Sequence, residues 1–306
     1  MKRFQNVLFV IEGLDIPEKE MEQALSVIVK NDSKVAFMVV HAGIPGNLAE
    51  IEKTYEAKII EVIKTKLHKA GYNRETDVFF NTDKPFFVSI IQHVIRQNFD
   101  LVIKKADTVK KDGNKGLRSI DMSLLRKCPC PVWLWKDQHE TCEGGILTAV
   151  DPQCETREGY DLNKKLLQIG SSLASYFETD HTVISCWEFE HENFLRHSPF
   201  AKIEDKKVDA LILDEKQKHE TAMEKLLKES GIEEPSSIQI LKGKAAERIP
   251  EYVEEKKPSI LVMGTVARTG IPGFIIGNTA ENILQNVLCS MFTAKPNGFI
   301  SPIKAY

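Results

Sequence analysis

Gly264, Gly270, Gly273 and Gly277 crowd a single segment, GTVARTGIPGFIIGNTAENIL (264–284). Asn278 followed by Glu281 reads as a capping box, so a helix is expected to start just after Gly277. Glycine lets backbone N–H groups approach an anion closely and adopts positive φ at little cost. A helix N-terminus adds free donors and the positive end of its dipole. Together these suit a polyphosphate, with the Asn278 amide and the Thr279 hydroxyl as further hydrogen-bonding groups. Asp151 ends the apolar stretch GILTAVD (145–151) and could accept from a ribose hydroxyl or an adenine amino group. An ordinary strand-to-helix turn would show the same glycine spacing, and that reading stays open. No Gly-Lys-Thr/Ser closes a P-loop, and no GxGxxG turn follows a first strand, which argues against NAD.

Other chemistry is sparse. Asp151 and Arg268 are the ionisable groups expected near the glycine segment, and hydrolysis would need a positioned base and a metal. No catalytic constellation emerges, so binding is favoured over turnover, with weak ATPase activity as the most to expect. Glu188, Glu190, His191, Glu192 and His197 lack the paired spacing of a metal site and read as a charged surface. The six cysteines, 128, 130, 142, 154, 186 and 289, are irregularly spaced, and Cys128 and Cys130 form only a C-x-C. Buried, reduced thiols are the expected state.

The elements that must position these residues alternate. Strands are expected at 6–12, 34–42, 77–80, 100–106 and 131–136, and helices at 18–31, 48–72, 85–98 and 121–128. The strands are continuously apolar rather than alternating, as in a parallel sheet buried on both faces. From Gly145 the plan restarts, with strands at 145–151, 181–188, 237–241, 259–265 and 290–295. Helices at 162–178, 206–232, 245–257 and 279–288 complete the second copy. Leu101–Lys105 falls on Ile260–Gly264, Leu125 on Leu284 and Cys130 on Cys289, all at an offset of 159 residues. This predicts an α/β chain of two duplicated domains, 1–137 and 143–306, joined by a polar linker. In such a sheet a ligand sits beyond the strand ends where strand order reverses. If strands one and four of the second copy are neighbours, Asp151 and Gly264 face one crevice.

The segment Gly264, TV, Ala267, RTGIPGFII, Gly277, Asn278 resembles the nucleotide loop of the universal stress protein family, which runs Gly, two residues, Gly, nine residues, Gly and a small polar residue. The tandem layout is similar to the family's E-type branch, and the resemblance covers essentially the whole chain. It implies two doubly wound, five-stranded parallel sheets in the order 3-2-1-4-5. It further implies ATP, ADP or AMP, with Mg as companion ion, in the second domain. Asp151, Cys186, Gly264, Ala267, Gly277, Asn278 and Thr279 would line that site, with Cys186 beside the base; Arg268, by its place in the segment, either helps neutralise phosphates or faces solvent. Ala267 and Asn278 depart from the family's glycine and hydroxyl residues. At the matching positions the first domain has Lys105, Arg118 and Ser119, and no ATP site is expected there.

With 306 residues, a formal charge of −3 and 42% hydrophobic composition, the chain has no nucleic-acid signature. Its apolar runs are too short to span a bilayer, and Glu12 interrupts the N-terminal one too soon for a secretory signal, so a cytosolic protein is expected. The competing expectations are a stress-response nucleotide sensor and a nucleotide-free scaffold. In either case the domains would pair within one chain or as a homodimer.

Overall fold

A computed structural model describes residues 4–13, 16–43, 45–111, 114–117, 119–136, 144–197, 203–232, 235–265 and 276–306. In the first copy the runs that read as buried strands form β1 (Asn6–Glu12), β2 (Lys34–Val40), β3 (Val78–Asn81) and β4 (Leu101–Lys105). A hairpin, β5 (Thr108–Lys111) with β6 (Asn114–Leu117), follows before β7 (Val132–Trp135). The crossovers are α1 (Glu18–Lys30), α2 (Ala49–Lys69), α3 (Phe86–Gln97) and α4 (Ser119–Lys127). The second copy runs β8 (Gly144–Ala149), α5 (Arg157–Phe177), β9 (His181–Trp187), α6 (Glu192–His197), α7 (Asp205–Ser230) and β10 (Ser237–Lys242). It continues through α8 (Ala245–Lys256), β11 (Pro258–Gly264), α9 (Asn278–Asn286) and β12 (Ser290–Ala294).

Packing divides these elements into two compact units. The first holds β1–β7 and β12, and the second holds β8–β11 with α5–α9. In the first unit the sheet order is β3-β2-β1-β4-β7, all parallel, which is the expected 3-2-1-4-5. β12 then adds antiparallel to β7, pairing Phe292 with Trp133. An edge strand exposes unmet N–H and C=O groups, and the last strand of the repeat satisfies those of β7. Phe292 also meets the ring of Phe4 at 5.4 Å and that of Trp133 at 5.9 Å, sealing this end of the core. In the second unit the order is β10-β9-β8-β11, all parallel, so strands one and four of the repeat are neighbours.

Three local features depart from the sequence expectation. The segment after the fourth strand, where no strand was expected, pairs antiparallel as β5 with β6. The charged stretch after β9 carries one short helix, α6. The first helix of the second copy starts earlier than Leu162, because Thr156 is its N-cap and its hydroxyl accepts from the Gly159 amide at 3.2 Å.

Candidate functional site

Parallel register places the crevice. Leu147 pairs with Leu261 and Thr148 with Val262, so Asp151 and Gly264 leave β8 and β11 at the same edge of the sheet. The Asp151 backbone is clamped by the buried Asn163 of α5. Asn163 Oδ1 accepts from the Asp151 amide at 3.0 Å, and its Nδ2 donates to the Asp151 carbonyl at 2.9 Å. The half-buried carboxylate accepts from the Gln153 amide at 3.3 Å. Sequence reading missed Asn163, although an amide on the apolar face formed by Leu162, Leu166 and Leu167 was the available signal.

Gly264 allows a close approach to α5 and does not use positive φ. A Cβ there would lie 3.0 Å from Leu162 Cδ2, and its φ is not in the left-handed region. Beyond it, the Thr265 carbonyl accepts from the Gly277 amide at 3.1 Å, tying the two ends of the glycine segment together. Thr265 is only 1% exposed, yet its hydroxyl has no partner among the described residues. Ala267, Arg268, Gly270 and Gly273 lie outside the described residues.

The cap of α9 corrects the capping-box reading. Gly277, extended at φ −61° and ψ 141°, is the N-cap, and Asn278 is the first helical residue. The Glu281 amide donates to the Gly277 carbonyl at 2.8 Å. A glycine cap brings no side-chain oxygen to the first-turn amides, and no side-chain cap forms here. Among the described residues no side chain caps the amides of Asn278, Thr279 and Ala280. The side chains of Asn278 and Thr279 are exposed.

Cys186 stands near the end of β9 and is half-buried, and burial pushes its thiol up to about 11. A neutral thiol is a packing surface, not a nucleophile. Next to it in the chain, the Ser185 hydroxyl meets His219 Nε2 of α7 at 2.9 Å, and His219 Nδ1 meets Gln153 Oε1 at 2.8 Å. This chain of polar groups ties α7 and β9 to the turn that holds Asp151. Burial lowers the pKa of His219, so the neutral ring links the two partners. His219 was not legible in sequence, where it sits in an ordinary charged helix.

A relative from Salmonella typhi, universal stress protein E, is 32% identical over 241 residues, spanning 77% of this chain and 73% of its own. The chain belongs to the universal stress protein family. The family model matches residues 147–295. Universal stress protein E of Photorhabdus laumondii aligns over all of this chain and 99% of its own at 28% identity, so the tandem E-type layout is shared. A solved Pseudomonas aeruginosa UCBPP-PA14 protein has the same fold at a TM-score of 0.73 and 23% identity, covering 97% of this chain and 95% of its own. A universal stress protein from Archaeoglobus fulgidus gives 0.56 at 17% identity, covering 94% and 98%. Membership supports a stress-response role.

The first universal stress unit fills the corresponding place with its own charges. Lys104 of β4, opposite Val10 of β1, is 1% exposed. Its ammonium lies 2.7 Å from Glu12 Oε2 at the end of β1 and 2.9 Å from Asp121 Oδ1 in the first turn of α4. It also donates to the Lys105 carbonyl at 2.9 Å, while Asp121 Oδ2 accepts from the Asp107 amide at 2.8 Å. Burial works against the Lys104 charge, but the two carboxylates hold its pKa above the ordinary lysine value. Burial raises the pKa of Asp121 against the pull of Lys104. In the second copy the matching residues are Met263 and Ala280, which carry no charge. Of the three first-domain positions singled out in sequence, Lys105 is half-buried at the end of β4, Ser119 opens α4, and Arg118 lies outside the described residues.

Glu192 of the charged stretch is engaged by Arg196 at 3.3 Å and Lys242 at 2.5 Å. Among the described residues no group of three His, Cys, Asp or Glu side chains is placed to hold a metal ion, and no helix is long and apolar enough to cross a membrane.

Proposed function

We propose that the second unit binds one adenine nucleotide, ATP or its ADP or AMP forms, and that occupancy is what a stress-response protein of this kind senses. One observation carries the reading: a helix start capped by glycine, with no side-chain cap among the described residues, shares a sheet edge with a clamped carboxylate. The amides of Asn278, Thr279 and Ala280, with the Thr279 and Thr265 hydroxyls, would receive phosphate oxygens. Asp151 would accept from ribose or from the base, and the neutral Cys186 thiol would pack beside the base. Ala267, Arg268 and any Mg would act through the glycine segment. A general base for turnover is not part of this arrangement, so binding is the function assigned.

Calorimetry of the full chain against ATP, ADP and AMP tests the reading. Binding is expected, and Asp151→Ala weakens it by about tenfold or more, the value of a hydrogen bond to a charged group. An absence of heat with all three nucleotides, or an unchanged affinity in Asp151→Ala, overturns it.

A further inference from the structure

Cys128 and Cys130 flank Pro129 between α4 and β7, and their sulfur atoms lie 3.6 Å apart. Cys128 is fully buried and Cys130 is 9% exposed, so both thiols face the protein interior. Beside them is Lys295, just past β12 and 5% exposed. Among the described residues no carboxylate pairs with its ammonium; its close contact is the Phe299 ring, 5.1 Å from Nζ to the centroid. Burial lowers the Lys295 pKa to about 8, and negative charge on Cys128 or Cys130 works the other way. A buried ammonium without an anion is costly, and the groups at hand that can become anions are two thiols. In the second copy Val287 stands where Cys128 does and Cys289 where Cys130 does, so that copy has no dithiol.

The geometry points to a binding site for one soft monovalent metal ion, Cu(I) being the representative, held between Cys128 Sγ and Cys130 Sγ. Soft thiolates select such ions, and two sulfurs suffice for a two-coordinate one. The charges close: two thiols release two protons, the two thiolates and one Cu(I) make a monoanion, and the Lys295 ammonium neutralises it. No electron is transferred. Oxidation of the pair to a disulfide would instead remove both negative charges and leave Lys295 buried alone. The burial of both sulfurs suits a soft ion that water and oxygen ligands hold poorly.

The test is an anaerobic titration of reduced full-length protein with Cu(I) in the presence of bicinchoninate as competitor, followed by copper X-ray absorption. One copper per chain with two sulfur neighbours is the expected result. Cys128→Ser and Cys130→Ser should each abolish capture. Lys295→Met should weaken it by about 10- to 100-fold, the scale of outer-sphere substitutions at metal sites. A variant with Cys142, Cys154, Cys186 and Cys289 all replaced by Ala should keep capture intact, which assigns it to this pair, and circular dichroism of the serine variants should match the unsubstituted protein. Failure to take copper from bicinchoninate overturns the proposal. So does capture by both serine variants at the level of the unsubstituted protein, or conversion of the pair to a disulfide without bound copper.

Discussion

At the scale of single residues, buried ionisable groups set how this protein responds to pH and to substitution. His181, 5% exposed, meets the Thr148 hydroxyl at 2.9 Å, and burial lowers its pKa from 6.5 to about 4. A lowered histidine pKa means that the unfolded chain takes up the proton first. Nothing is lost above pH 6.5, and stability declines as pH falls from there towards 4. The shift corresponds to about 3 kcal/mol at the acid end. Denaturant unfolding followed across this range should show that loss, and His181→Gln should flatten it; an unchanged slope would refute the assignment. Lys104 makes the second case. Lys104→Met strands Glu12 and Asp121 and is expected to cost about 3–5 kcal/mol, whereas Lys104→Met with Asp121→Ala, the residues of the second copy, should recover a substantial part. A double variant no more stable than the single one would show that the carboxylate is not the source of the cost. Asp151 and the glycine segment could be singled out in sequence because their residue types suggest a chemistry. Lys104, Asn163 and His219 could not, since a lysine in a strand or an amide in a helix acquires meaning only from its partners across the fold.

At the scale of elements, apolar runs and their turn residues revealed nearly every strand and helix, because a strand buried on both faces cannot accommodate alternation. What they could not reveal was pairing. That β7 would take β12 as an antiparallel neighbour depends on which edges remain open after folding, and no local pattern encodes it. Close approaches between elements were equally hidden. Gly170 sits inside α5, where glycine costs about 1 kcal/mol relative to alanine. A Cβ there would fall 2.0 Å from Thr148 Oγ1 and 2.6 Å from His181 Nε2. Gly170→Ala is therefore expected to destabilise by about 1–3 kcal/mol, against its helix propensity, by forcing β8 and α5 apart. Its pH slope should also change, because the displaced partner is His181. A stabilised Gly170→Ala protein would mean that the helix has room to shift.

For the whole molecule the question is what duplication left behind. Each copy builds the same doubly wound frame, and that frame opens a crevice beyond strands one and four whether or not a ligand is wanted there. An open polar crevice must be met by a ligand, by solvent or by the chain itself. In the second copy β11 ends in Gly264 and α9 is capped by Gly277, and Met263 and Ala280 bring no charge there. In the first, Lys104, Glu12 and Asp121 neutralise one another in that place, and the β5–β6 hairpin stands where the glycine segment would be. Full-length protein held with excess ATP and analysed by native mass spectrometry should thus carry one nucleotide per chain. Two per chain would show that the buried triad yields to a phosphate. The same count of one is expected for Lys104→Met with Asp121→Ala, since removing charges from the crevice does not supply the glycine segment that the second copy has. If that variant instead gained a second nucleotide, the lysine alone would be what closed the first site.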